Sequence, residues 1–280
     1  MNSADIKETL RGIRHVALDM DGTIYLGSTL FPFTLPFLEK LDRLGIGYSF
    51  LTNNPTKSLD DYVAKLHKLG VPCRTDQMYS TTTATIDYIK KHYPQARRLF
   101  LLGTPSMISQ FCDAGFISCE DDPDDRPDVV VAAFDMTLQY DRLCRCAWWV
   151  SKKEIPYIAT NPDWVCPTDQ QTILVDCGSI CKCLEGATGR KPDIVIGKPN
   201  PDILCGVLDK LGVKPSEAAM VGDRIYTDVK TGLNAGACGV LVLSGETTLE
   251  TAMNAPDDEK PTLICKDIEE FGNLLEESRK

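Results

Sequence analysis

The sequence predicts an α/β fold: a doubly wound parallel sheet interrupted by a second, inserted α/β domain. Three observations predict it. Short, wholly apolar runs alternate with amphipathic helical stretches, and polar residues recur at the carboxyl ends of the apolar runs. In addition, 144 residues separate Asn53 from Lys198, whereas one helix and one strand of a wound sheet need only about 30. The excess suffices for a domain with its own core. It is expected at residues 83–188, leaving 1–82 and 189–280 for the sheet-bearing domain.

The first strand, Val16-Ala17-Leu18, runs directly into Asp19-Met20-Asp21-Gly22-Thr23. Open α/β sheets bind ligands beside the carboxyl ends of their strands, so two carboxylates placed there face a crevice. Residues 35–44 carry Leu38, Leu41 and Leu44 at helical spacing, with Gly45 as a stop. Tyr48 to Leu51 forms the next strand and ends in Thr52-Asn53-Asn54-Pro55. A helix over 58–69 follows, with Ser58 as its cap and Leu59, Tyr62, Val63, Leu66 and Leu69 on one face. This β-α-β-α order implies parallel strands joined by right-handed crossovers.

From Thr83 the rhythm changes. A helical run to Tyr93, a strand at 99–102, a short helix at 107–112 and an acidic loop at 120–128 lead to the apolar strand 129–134, which ends at Asp135. An aromatic-rich helix at 141–150 precedes a strand at 157–160 ending in Asn161-Pro162-Asp163, and 176–188 closes the insert as a turn and helix. Ile194-Val195-Ile196 then reads as a strand of the main sheet leading to Gly197-Lys198-Pro199. A helix over 200–211 begins with Asn as cap and Pro at its first position. Ala218 to Val221 is a strand ending in Gly222-Asp223-Arg224, with Asp228 opening another helix; strands at 239–243 and 262–264 and a polar helix at 267–280 finish the chain.

Thirty basic against forty acidic residues leave a net charge of −10. With no basic patch, binding to nucleic acid or to an anionic membrane is not expected. An anionic substrate must therefore be met by local groups or a metal. No apolar run is long enough to cross a bilayer and no signal sequence begins the chain, so a cytoplasmic location is expected. The twelve cysteines are scattered through apolar runs and read as buried free thiols. Cys144-x-Cys146 and Cys181-x-Cys183 are spaced more tightly than the pairs that structural zinc uses.

Four polar loops thus follow four strand candidates: Asp19/Asp21, Thr52/Asn53, Lys198 and Asp223/Asp228. Each alone is an ordinary turn; together, on neighbouring strands, they converge on one rim. Phosphoryl chemistry assigns every residue type. Asp19 would attack phosphorus, and Asp21 would protonate the leaving oxygen and later deprotonate the hydrolytic water. Magnesium keeps several waters and needs few protein oxygens: Asp19, the Asp21 carbonyl and Asp223, with Asp228 orienting the shell. Thr52 and Asn53 would donate to the phosphoryl oxygens while Lys198 balances their charge.

These motifs resemble those of the haloacid dehalogenase superfamily of phosphohydrolases: Asp19-Met20-Asp21-Gly22-Thr23 is similar to its first motif, Thr52-Asn53 to its second, Lys198 to its third, and Gly222-Asp223 with Asp228 to its fourth. The long insert, Thr52-Asn53-Asn54 and Asn161-Pro162-Asp163 resemble the NagD-like branch (subclass IIA, C2-type cap), which includes p-nitrophenyl-phosphatase and pyridoxal-phosphate phosphatase relatives. The resemblance implies a Rossmann-like core, a mobile cap and Mg2+-dependent hydrolysis of small phosphorylated metabolites such as sugar phosphates, nucleoside monophosphates or pyridoxal phosphate. It also implies that Asp135, Asn161, Asp163 and the loop 164–171 face the substrate, although Asn161-Pro162-Asp163 reads equally well as a structural turn. Trp148 and Trp149 read as cap core or oligomer contact, and a homodimer through the cap fits the branch. Dehalogenation is disfavoured because Asp21 is what an alkoxide leaving group requires. The alternatives are a phosphotransferase using the same intermediate and a non-hydrolytic, phospho-accepting signalling module; turnover with water as acceptor separates them.

Overall fold

The computed structural model describes residues 3–166, 168 and 170–280. The chain divides into two compact units, Met1–Thr52, Val63–Tyr79 and Lys198–Lys280 in the first, Asn53–Tyr62 and Ser80–Gly197 in the second.

The first unit is built on a six-stranded sheet in the order Leu263–Cys265, Cys238–Val242, Ala218–Gly222, His15–Leu18, Gly47–Thr52, Met78–Ser80. His15–Leu18 lies at its centre, parallel to both neighbours, with Leu18 opposite Val221 on one side and Phe50 on the other. Every residue of His15–Leu18, Ala218–Gly222 and Cys238–Val242 is buried. A parallel strand covered on both faces has no polar side to show, which is why these segments read as unbroken apolar runs. Met78–Ser80 was not anticipated, because Met-Tyr-Ser is too short and too polar to announce a strand; it forms by pairing at the sheet edge.

Helices Thr34–Leu44 and Ile268–Glu277 pack on each other through Phe37 and Phe271, whose ring centroids lie 6.2 Å apart. Arg279 ties the last helix to the chain's beginning, donating to the carbonyls of Leu10 at 3.1 Å, Ile13 at 2.6 Å and Leu275 at 2.8 Å. Between the two central strands His15 Nε2 meets Ser49 Oγ at 2.9 Å. The ring is buried, and burial lowers its pKa to about 4, so it is held neutral.

The second unit has a five-stranded sheet in the order Ile194–Val195, Tyr157–Ala159, Val129–Ala132, Arg98–Leu102, Ile117–Ser118, all parallel. Phe100, Val130, Trp149, Tyr157, Ile180 and Leu184 are among its core. Ile194–Val195 therefore belongs to this sheet and not, as the sequence suggested, to the main one. Asp193 anchors this pairing: its carboxylate accepts the Tyr157 N–H at 2.8 Å, and its own N–H is given to the Tyr157 carbonyl at 2.7 Å. This pairing carries the second unit through Gly197 instead of ending it at 188. At the other end, Ser80 caps the helix Thr81–His92 through a 3.3 Å bond from the Thr83 N–H, so the unit begins before residue 83.

Two short antiparallel hairpins, Tyr25–Leu26 with Thr29–Leu30 and Val165–Cys166 with Leu174–Val175, also went unannounced. Trp149 is core, whereas Trp148 is exposed with the Lys152 ammonium 3.7 Å above its ring. None of the twelve cysteines forms a disulfide, but Cys112, Cys144 and Cys183 are exposed. Residues two apart on a helix point to opposite sides, so Cys146 and Cys181 are buried while Cys144 and Cys183 face out. Among the described residues no helix is long and apolar enough to cross a membrane.

Candidate active site

The carboxyl rim of the first unit's sheet gathers the acidic residues. Asp19 continues the central strand, its N–H bonded to the Val221 carbonyl at 2.8 Å. The parallel register sets Gly222 beside it and Asp223 one residue beyond. The chain then makes a π-helical turn over Ile225–Val229 before helix Lys230–Ala235. Asp228 sits inside this turn instead of opening a helix, and the wider turn brings it back against Gly222, where a Cβ would lie 2.3 Å from the Asp228 Cβ. Oxygens of Asp19, Asp223 and Asp228 come within 4.8 Å of one another.

Lys198 joins them although no strand of this sheet precedes it. Its buried ammonium bonds Asp19 Oδ1 at 2.5 Å and Asp228 Oδ1 at 2.6 Å. Burial alone would lower its pKa, but the two carboxylates outweigh that and hold it above its usual range. The acids move the other way. Burial pushes Asp19 up to about 7; Lys198 opposes this, while Asp228 and Asp223 add to it. Burial, reinforced by Asp228, pushes Asp223 up to about 6 against the pull of the Glu246 amide, Arg224 and Lys198. Three carboxylates thus face one ammonium, and the surplus negative charge calls for protons or a cation.

The donor set suits a hard cation. It is all oxygen, and Asp223 Oδ1 is buried with no hydrogen-bond partner among the described residues. Oxygen-only clusters of this kind favour Mg2+, Ca2+ or Mn2+ over softer metals. The Asp223 carboxylate is also closely walled: a Cβ at Gly22, where φ is +84°, would lie 2.4 Å from Oδ2, and one at Gly245 2.1 Å from it. Both positions need glycine because no side chain fits.

Asp21 lies two residues past Asp19, exposed and outside the carboxylate cluster. Its backbone is fixed by a bridge to Tyr25 and by the adjacent Gly22 N–H, which donates to the Tyr25 carbonyl at 2.8 Å. Both oxygens of Asp228 are engaged, Oδ1 by Lys198 and Oδ2 by the Arg224 N–H at 3.1 Å, which fits an orienting role. Thr52 ends the strand next to Asp19 and is buried.

The remaining sequence candidates, Asn53, Asp135, Asn161 and Asp163, lie in the second unit, and three of them are tied to one another. Asn53 and Asn161 both donate through Nδ2 to Asp163 Oδ2, each at 2.8 Å, and Asn161 also donates to Asp176 Oδ1 at 2.9 Å. Asp176 caps helix Cys177–Thr188, and burial raises its pKa to about 6. This network holds the Asn161-Pro162-Asp163 turn against the helix. Asp135 Oδ1 accepts the N–H and the hydroxyl of Thr137 at 2.8 and 2.7 Å, closing a turn after strand Val129–Ala132. Of the loop 164–171, Pro167 and Asp169 lie outside the described residues.

The sequence reading missed the loop Ser244–Thr247, which touches Asp223 and Gly22 directly. The signal was available: Ser-Gly-Glu-Thr follows an apolar run, as the other four loops do.

Comparison with known proteins matches residues 16–117 to a haloacid dehalogenase-like hydrolase family and residues 195–271 to a HAD-hydrolase-like one. An acid sugar phosphatase of Staphylococcus aureus is 32% identical over 253 residues, 90% of this chain and 94% of its own. Among solved structures, a 4-nitrophenylphosphatase from Thermotoga maritima shares 40% identity with a TM-score of 0.87, covering 95% of this chain and 98% of that one. A putative NagD protein shares 39% identity with a TM-score of 0.84, covering 94% and 98%. With the acidic rim, the buried lysine and these relatives in agreement, the chain belongs to the haloacid dehalogenase-like hydrolases, in their NagD-like phosphatase branch.

Proposed function

We propose that the protein is a magnesium-dependent phosphatase that hydrolyses small phosphomonoesters by carrying the phosphoryl group on Asp19. The observation that carries this reading is the position of Asp19: at the end of the central strand, one oxygen held by Lys198, beside an acid cluster with surplus negative charge. An aspartate so placed forms a bond from its carboxylate oxygen to phosphorus as the ester oxygen leaves, and Asp21, exposed and two residues on, gives that oxygen its proton. Asp21 then takes a proton from water, whose oxygen attacks phosphorus and returns Asp19 as carboxylate. Lys198 opposes the burial that raises the pKa of Asp19, and so favours its charged, nucleophilic form.

Asp19, Asp223 and the Asp21 carbonyl would hold the cation, with Asp228 orienting Lys198 and the turn that carries Asp223. Bound there, Mg2+ supplies charge neutralisation for the phosphoryl oxygens. Thr52, ending the neighbouring strand, is assigned as a donor to one of those oxygens. The substrate class is a sugar phosphate, nucleoside monophosphate or pyridoxal phosphate; the S. aureus relative's name, acid sugar phosphatase, puts sugar phosphates first on the panel.

The test is phosphate release from such a panel, with and without Mg2+, by the parent and by Asp19→Asn. Metal-dependent release in the parent alone is expected. Transfer to an alcohol with no release to water would favour the phosphotransferase, and an Asp19 that is phosphorylated but never turns over would favour the signalling module.

A further inference from the structure

The loop Ser244–Thr247 follows strand Cys238–Val242, the neighbour of the strand that delivers Asp223. It holds the acid cluster at several points. The Glu246 N–H donates to Asp223 Oδ2 at 2.7 Å, the Thr247 N–H to the Asp223 carbonyl at 3.2 Å, and Ser244 Oγ to the Gly22 carbonyl at 2.7 Å. Gly245 passes so close that any side chain there would collide with Asp223. On its far side the loop is anchored through the Glu246 carboxylate: the Tyr226 hydroxyl donates to Oε1 at 2.8 Å, and Arg224 Nε lies 2.8 Å from Oε2. Asp223 is left with one oxygen held by a main-chain amide and the other, Oδ1, buried and unpartnered among the described residues.

We propose that Ser244 and Glu246 are positioning residues that set the metal affinity and the magnesium preference of this site, an inference that rests on the magnesium reading above. The loop amide fixes the rotation of the Asp223 carboxylate so that a single oxygen is offered to the cation. Ser244 meanwhile locks the Asp21–Gly22 turn, whose Asp21 carbonyl is assigned as a ligand. One-oxygen donation suits the small octahedral Mg2+, whereas Ca2+ accepts more ligands and two-oxygen carboxylates. Losing hydrogen bonds of this outer kind typically weakens metal binding by about 10- to 100-fold.

The test measures Mn2+ binding by electron paramagnetic resonance in the parent, Ser244→Ala, Ser244→Thr and Glu246→Ala, with competition by Mg2+ and Ca2+ and with melting curves in EDTA. Ser244→Ala is expected to bind Mn2+ about tenfold more weakly, Ser244→Thr to recover the affinity by keeping the hydroxyl, and Glu246→Ala to lose preference for Mg2+ over Ca2+, all with metal-free melting unchanged. Parent-like affinity and selectivity in both alanine variants would overturn the proposal. So would an affinity loss that follows a loss of metal-free stability and is not rescued by threonine. Should Ser244→Ala fail to fold, Glu246→Ala decides. A parent that binds no Mn2+ would bring down the magnesium reading as well; a parent that binds while the variants match it would sink this inference alone.

Discussion

Replacing Lys198 by methionine keeps the bulk of the side chain and removes the ammonium that faces the three carboxylates. Its contacts are short, 2.5 Å to Asp19 and 2.6 Å to Asp228, and it is buried. Breaking a buried ion pair by deleting one partner costs about 3 to 5 kcal/mol. The carboxylates can relieve part of this by protonation, since Asp19 already titrates near 7 and would titrate higher without the lysine. A carboxyl whose folded pKa is raised holds a proton that the unfolded chain has released, so its stabilisation is present at low pH and lost as pH rises through the folded value. The variant's deficit is therefore smaller at about pH 6 and larger at about pH 8, by roughly 1.4 kcal/mol for each tenfold change in proton affinity that the lost lysine brings about. At about 2 to 4 °C per kcal/mol, the metal-free variant should melt roughly 6 to 20 °C below the parent. The assay is a melting series in EDTA across that pH range, repeated with excess Mg2+, which should recover part of the loss by taking up the uncompensated charge. A variant melting within about 2 °C of the parent at every pH would refute the claim that Lys198 compensates buried, ionised acids.

Two further predictions concern groups away from the carboxylate cluster. His15 has a folded pKa of about 4 against 6.5 unfolded, so the unfolded state binds the extra proton between those values and stability falls as pH drops through this window, by up to about 3 kcal/mol. Urea midpoints measured between about pH 7 and about pH 5 should fall less steeply for His15→Gln than for the parent, and equal slopes would contradict a neutral buried ring. Cys112, Cys144 and Cys183 should react with iodoacetamide in the native protein and all twelve thiols should react in denaturant; fast native labelling of Cys146 or Cys177 would contradict their burial.

Much of the acidic rim was legible because a doubly wound sheet converts sequence position into spatial position. Val16-Ala17-Leu18 had to be a strand covered on both faces, and whatever followed it had to emerge at the carboxyl rim. The same rule placed Thr52 and Asp223 from their preceding runs alone. Lys198 was found for an incomplete reason: its preceding run, Ile194–Val195, pairs with Tyr157–Ala159, so the lysine reaches Asp19 as the first residue of the returning chain and not as the end of a neighbouring strand. Both strand assignments satisfy the same local pattern, and only the pairing partner distinguishes them.

By itself the sequence determined the alternation of strand and helix, the place of Asp19 at the carboxyl end of a buried strand and the presence of an insert, because all of these follow from local periodicity, residue type and spacing. Tertiary structure alone decided where the insert begins and ends, that Asp21 stays outside the carboxylate cluster, and that Glu246 and Thr247 hold Asp223. Those depend on which segments, distant along the chain, meet in space: Gly245 matters only because a Cβ there would lie 2.1 Å from a carboxylate oxygen twenty-two residues earlier in the chain.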